Sequence, residues 1–95
     1  MIAKIEPQFS LGQVVATPGA LEALAKSGQS AVEFLNRHVT GDWGIVCEED
    51  KQANDQSLID GTRLFSAYLL CNGTKLWIVT EADRSSTCIL LPSEY

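Results

Sequence analysis

From Arg63 onward the chain changes its hydrophobic period, and that change limits the fold more than any other feature. Upstream, apolar residues recur three and four apart. Downstream they fall in short runs rich in Leu, Ile, Val, Thr, Tyr and Trp, at 63–70, 74–80 and 86–91. Asn72-Gly73 separates the first two runs and predicts a hairpin with a type I′ turn, which needs φ > 0 at both positions. Glu81 to Ser85 is a longer polar connection. The expected product is a three-stranded antiparallel meander. Helices first and strands second is an α+β layout, with two or three N-terminal helices packed on one face of the sheet. Residues 9–16 offer a possible fourth strand.

The upstream half carries its own punctuation. Thr17-Pro18 opens a helix, because Thr caps and Pro suits the first helical position. Leu21, Leu24 and Ala25 form its expected buried stripe, and Gly28 ends it. Ser30 and Glu33 have capping-box spacing at the start of a second helix. Phe34, Leu35, His38 and Val39 lie on its neighbouring turns, and Gly41 stops it. A third helix is expected from about Glu48, where three acids suit the positive end of the dipole, to Asp60, with Gly61 as its stop.

Ninety-five residues make one domain, large enough for a core without metals or disulfides. Residues 1–8 are read as a loose N-terminal segment without the apolar stretch of a signal peptide. No apolar run reaches the ~20 residues of a membrane span. A cytoplasmic setting follows. Cys47, Cys71 and Cys88 form no CxxC pair and are expected as buried or half-buried free thiols.

The charge is confined. Residues 40–60 hold six acids (Asp42, Glu48, Glu49, Asp50, Asp55 and Asp60) against Lys51, which accounts for the whole net charge of −5. Such a surface disfavours nucleic-acid phosphates and suits a protein partner with a basic surface.

Two clusters carry the candidate chemistry. In the first, His38 stands at a helix end beside Asp42, Trp43 and the glycines 41 and 44. A carboxylate-oriented histidine is a candidate general base, and a helix-end histidine also caps carbonyls. Trp43 is expected to plug the gap between helices and sheet. In the second, Asp83 is placed for an Asx turn, and Arg84 is placed to meet an anion or a partner carboxylate. Phosphate-loop, dinucleotide, zinc-protease and serine-hydrolase motifs are missing from the sequence, and no cofactor or metal is expected.

Several pieces form a signature together: His38-x-x-Gly41-Asp42-Trp43-Gly44, Asn54-Asp55, Gly61-x-Arg63-x-x-Ser66-Ala67-Tyr68, then 77–85 (WIVTEADRS) with Thr87, and Leu90-Leu91-Pro92-x-Glu94-Tyr95. It resembles a family of small bacterial proteins of plasmids, phages and other mobile elements, labelled plasmid-related, over nearly the whole chain from Leu11. The resemblance implies a setting rather than a reaction. It favours host take-over or counter-defence proteins, such as an inhibitor or regulator that binds a host or defence-system protein, and also toxin or antitoxin modules.

The functional expectation is therefore a non-enzymatic binding protein. Its binding residues are Asp42, Trp43, Glu48, Glu49, Asp50, Asp55, Asp83 and Arg84. An exposed edge strand would also allow homodimers. The alternative rests on architecture alone: helices before a small antiparallel sheet resemble metal-independent ribonucleases and toxins of the barnase, colicin and interferase type. Its candidate set is His38, Arg63, Ser66, Tyr68, Arg84 and Thr87. Arg63 and Tyr68, five apart on one strand, are expected on opposite faces.

Overall fold

Residues 7–95 are described here from a computed structural model. The elements in chain order are β1 (Gln13–Ala16), α1 (Pro18–Ser27), α2 (Ala31–Val39), α3 (Glu48–Asp60), β2 (Leu64–Leu69), β3 (Lys75–Thr80) and β4 (Ser86–Leu90), followed by a 3₁₀ turn at Pro92–Glu94. The α+β class and the order of helices and strands agree with the sequence reading. Residues 1–6 of the N-terminal segment lie outside the described residues, while the Gln8 amide donates to Val39 O at 2.7 Å. Among the described residues no helix is long and apolar enough to cross a membrane.

The sheet runs β1-β4-β3-β2. β2, β3 and β4 form the expected meander. β1 supplies the fourth strand and pairs parallel to β4, with Gln13 opposite Ser86. The hairpin turn differs from the sequence expectation. Only Gly73 has positive φ (88°), and the Gly73 amide bonds to Leu70 O at 2.9 Å. The loop is therefore Cys71-Asn72-Gly73, three residues ending in a left-handed glycine. Asn72 uses its side chain instead, accepting from the Thr74 amide at 3.1 Å.

Strand alternation sorts the sheet into two faces. One face carries Leu64, Ser66, Tyr68, Leu76, Ile78, Thr80, Thr87 and Ile89, and α1 and α2 cover it. Ala20, Ala23, Leu24 and Phe34 pack there against Tyr68, Leu70, Leu76, Ile78 and Ile89. Full burial of each large side chain contributes about 1.5–3 kcal/mol. The other face carries Phe65, Ala67, Trp77, Val79, Cys88 and Leu90.

Three local expectations are corrected. The buried stripe of α1 is Ala20, Ala23 and Leu24, and Leu21 is 55% exposed. Ala20, whose amide donates to the capping Thr17 Oγ1 (3.2 Å), starts this stripe, one position before the expected Leu21. In α2, Ser30 accepts from the Val32 amide, while the Glu33 carboxylate takes the Gln29 side chain, so no capping box closes. The cysteines also differ: Cys88 is half-buried, but Cys47 and Cys71 are exposed, at a helix start and in the hairpin loop.

α3 lies along the outer edge of β2 rather than on a face. Asn54 Nδ2 donates to Phe65 O (2.5 Å), and Asn54 Oδ1 accepts the Phe65 amide (3.0 Å). Next along that edge, the Ile45 amide donates to Ala67 O and the Ala67 amide to Trp43 O. Gly44 makes this approach possible: its φ is 76°, and an added Cβ would sit 1.9 Å from Ala67 O. The β2 edge is thus covered. The other edge is β1, where Val14 and Val15 are 42% and 45% exposed.

Candidate functional site

Most helices are held by an apolar stripe, but α3 buries only Asn54 and Ser57. Polar bonds hold it instead. Besides the Asn54 pair, Trp43 Nε1 donates to Asp55 Oδ1 (3.0 Å). Arg84 donates to Ser57 O (3.0 Å) and Thr62 O (2.6 Å), placing a cation at the negative end of the helix dipole. Glu48, Glu49, Asp50, Asp55 and Asp60 are all exposed. Neither of the two ion pairs among the described residues involves them.

Beside α3, the second sheet face forms a groove of about 290 Å³ lined by Asp50, Arg63, Phe65, Trp77, Val79 and Tyr95. Phe65 meets Trp77 edge to face (5.0 Å between centroids), and Trp77 meets Tyr95 in the same way (5.7 Å). Tyr95 is positioned by the turn before it. Glu94 Oε1 accepts both the Leu91 amide (2.9 Å) and the Thr17 hydroxyl (2.5 Å), and these bonds hold its carboxyl below the usual carboxylate range. Arg63 places its guanidinium 5.6 Å from the Tyr95 ring centre and donates to its hydroxyl. Asp50 reaches the groove because it sits one turn before Asn54, on the same stripe of α3.

His38 lies elsewhere, fully buried under the helix-covered face. Its Nδ1 meets Ser66 Oγ (2.5 Å) and its Nε2 meets Thr80 Oγ1 (2.9 Å). Thr80 meets Thr87 (2.8 Å), and Thr87 donates to Leu11 O (2.7 Å). The direction of the chain follows from its end. The single Thr87 proton goes to Leu11, so Thr80 donates to Thr87 and accepts from His38 Nε2–H. Nδ1 is then the lone pair that accepts from Ser66. This network matches a neutral ring. Burial, aided by the Arg84 charge, pushes the His38 pKa down to about 4.

The first sequence cluster is therefore divided: Trp43 remains against His38, and Asp42 turns to another partner. Asp42 pairs with Arg37 (2.8 Å), which holds its carboxyl below the ordinary range, and it also accepts the Gly44 amide. It does not orient His38. Trp43 stays beside the imidazole, with ring centroids 5.7 Å apart, and Phe9 packs on both, 5.2 Å from His38 and 6.3 Å from Trp43, with the Arg84 guanidinium 5.6 Å from its ring. Trp43 fills the gap beneath α3 with Val46, Leu64 and Ala67. Arg84, itself in a left-handed conformation (φ 62°), spends its guanidinium on backbone carbonyls, and Asp83 forms the expected Asx turn to Ser85. Of the ribonuclease-like set, His38, Ser66 and Thr87 meet in the buried network. Tyr68 is buried beside them, with its hydroxyl on Asp42 O and its pKa pushed up to about 12 by burial. Arg63 lies across the sheet.

Sequence reasoning missed the groove. The available signal was alternation, since Phe65 and Trp77 fall out of phase with the core-facing residues of their strands. Comparison with family models, with curated proteins and with solved structures returned no match.

Proposed function

We propose that this chain is a non-enzymatic binding protein that engages the basic surface of a host or defence-system protein through α3, as an inhibitor or regulator. One observation carries this reading. α3 contributes little to the apolar core, yet three separate polar attachments hold it in register, and its exposed acids are left free of ion pairs among the described residues. A helix fixed this firmly with so little packing role is suited to presenting charge. Fixed carboxylates lose little order when a cationic partner docks, and they steer its approach. The resemblance to mobile-element proteins supplies the setting. Self-association would run through β1, the edge left uncovered among the described residues.

Affinity capture from a bacterial lysate tests the reading. A variant carrying Glu48→Lys, Glu49→Lys and Asp50→Lys should lose the partners that the parent retains, and the parent should release them as salt rises. Equal recovery by both proteins would overturn the acidic face as the binding surface.

A further inference from the structure

We infer that the groove beside α3 receives the guanidinium of an arginine presented by that basic partner. The inference rests on the binding role of α3 and adds the chemistry of one contact.

Three features point to this occupant. The groove is walled by aromatic rings set edge to face, so that ring faces as well as edges bound the space between Phe65, Trp77 and Tyr95. Aromatic faces carry negative electrostatic potential and hold flat, weakly hydrated cations best. Asp50 supplies a carboxylate at the wall, and no hydrogen bond or ion pair among the described residues engages its side chain. A guanidinium stacked on a ring presents the paired N–H groups that a carboxylate accepts in parallel. Finally, the chain already places one guanidinium here: Arg63 lies against Tyr95 and bonds its hydroxyl. That bond engages the Arg63 guanidinium with Tyr95, while the Asp50 carboxylate is left to an incoming cation.

The charge around the groove agrees. Glu48 and Glu49 precede Asp50 in the first turn of α3, so acids outnumber Arg63 and Lys51 at this end of the sheet. A carboxylate or phosphate drawn by Arg63 would meet the Asp50 carboxylate in the groove wall, with two further acids in the same first turn of α3.

The test uses the full chain and two synthetic peptides, each with four lysines. One carries a central arginine, and the other carries citrulline, its neutral isostere. Binding is followed by NMR at the Trp77 indole, the Tyr95 ring, and the backbone amides of Glu48, Glu49 and Asp50. The arginine peptide should move the Trp77 and Tyr95 resonances and bind about fivefold more tightly than the citrulline peptide. Asp50→Asn and Tyr95→Ala, both at exposed positions, should bring that ratio close to one. Movement of the α3 amides with unmoved rings, or equal affinity for the two peptides, would overturn the groove contact and leave the binding role of α3 standing. If neither peptide moved the α3 amides, both readings would fall. Displacement of the ring signals by inorganic phosphate rather than by the arginine peptide would reassign the groove to anions and overturn the inference.

Discussion

The two faces of the sheet handle polarity in opposite ways. Under α1 and α2, polar groups are enclosed and paired: His38, Ser66, Thr80 and Thr87 bond in series, ending on Leu11 O, and among the described residues no buried side-chain polar atom lacks a partner. On the other face, aromatic rings and carboxylates meet at the surface, and α3 is held beside them by hydrogen bonds to backbone. The enclosed face is committed to stability. The open face and α3 carry charge and aromatic surface that the core does not use.

The comparison breaks first at His38. Replacing it with alanine strands Ser66 and Thr80 and leaves a cavity, at a cost of about 3–4 kcal/mol. Urea denaturation should show a lower midpoint at unchanged slope. A cost below about 1 kcal/mol would mean that the network does not hold the core.

Acid should reach the same face from another direction. The unfolded ring titrates near 6.5 and the folded ring near 4. Between those values the unfolded chain binds the extra proton, so the contribution of His38 is whole above about pH 6.5 and falls by roughly 3 kcal/mol as pH drops to 4. Stability measured against pH should show this slope, and His38→Gln should flatten it. An unchanged slope in the variant would place the loss in the carboxylates instead.

Asn54→Ala addresses the junction between the faces. It unpairs both Phe65 backbone groups, with an expected loss of about 2 kcal/mol and faster amide exchange at Phe65. Glu48→Gln with Glu49→Gln should matter least to the fold, within about 0.5 kcal/mol by thermal melting. A larger loss would make the acids part of the scaffold rather than of a binding surface.

What the sequence disclosed follows the same division. The bounds of α3 were legible because acids at its start and Gly61 at its end are local signals. The faces of Arg63 and Tyr68 were legible from alternation. The partners of His38 were not: Asp42, four residues away, pairs with Arg37, whereas Ser66 and Thr80 arrive from 28 and 42 residues downstream. The parallel pairing of β1 with β4 is equally non-local. The hairpin was recognised but its turn type was not, because β2 ends at Leu69 and only Gly73 must turn left-handed. The groove needs three aromatics from three segments, and Tyr95 joins it through the bonds of Glu94 in the preceding turn and its contacts with Arg63 and Trp77.

The most direct test of α3 as the binding surface changes equal charge at two places. Glu48→Lys with Glu49→Lys alters α3, and Glu22→Lys with Glu33→Lys alters the exposed sides of α1 and α2. Calorimetric titration with the arginine-bearing basic peptide at low salt then compares them. The α3 pair should weaken binding at least about tenfold and the α1/α2 pair less than about threefold. Equal weakening by both would show that net charge, rather than the placement of α3, attracts the peptide, and would contradict the account.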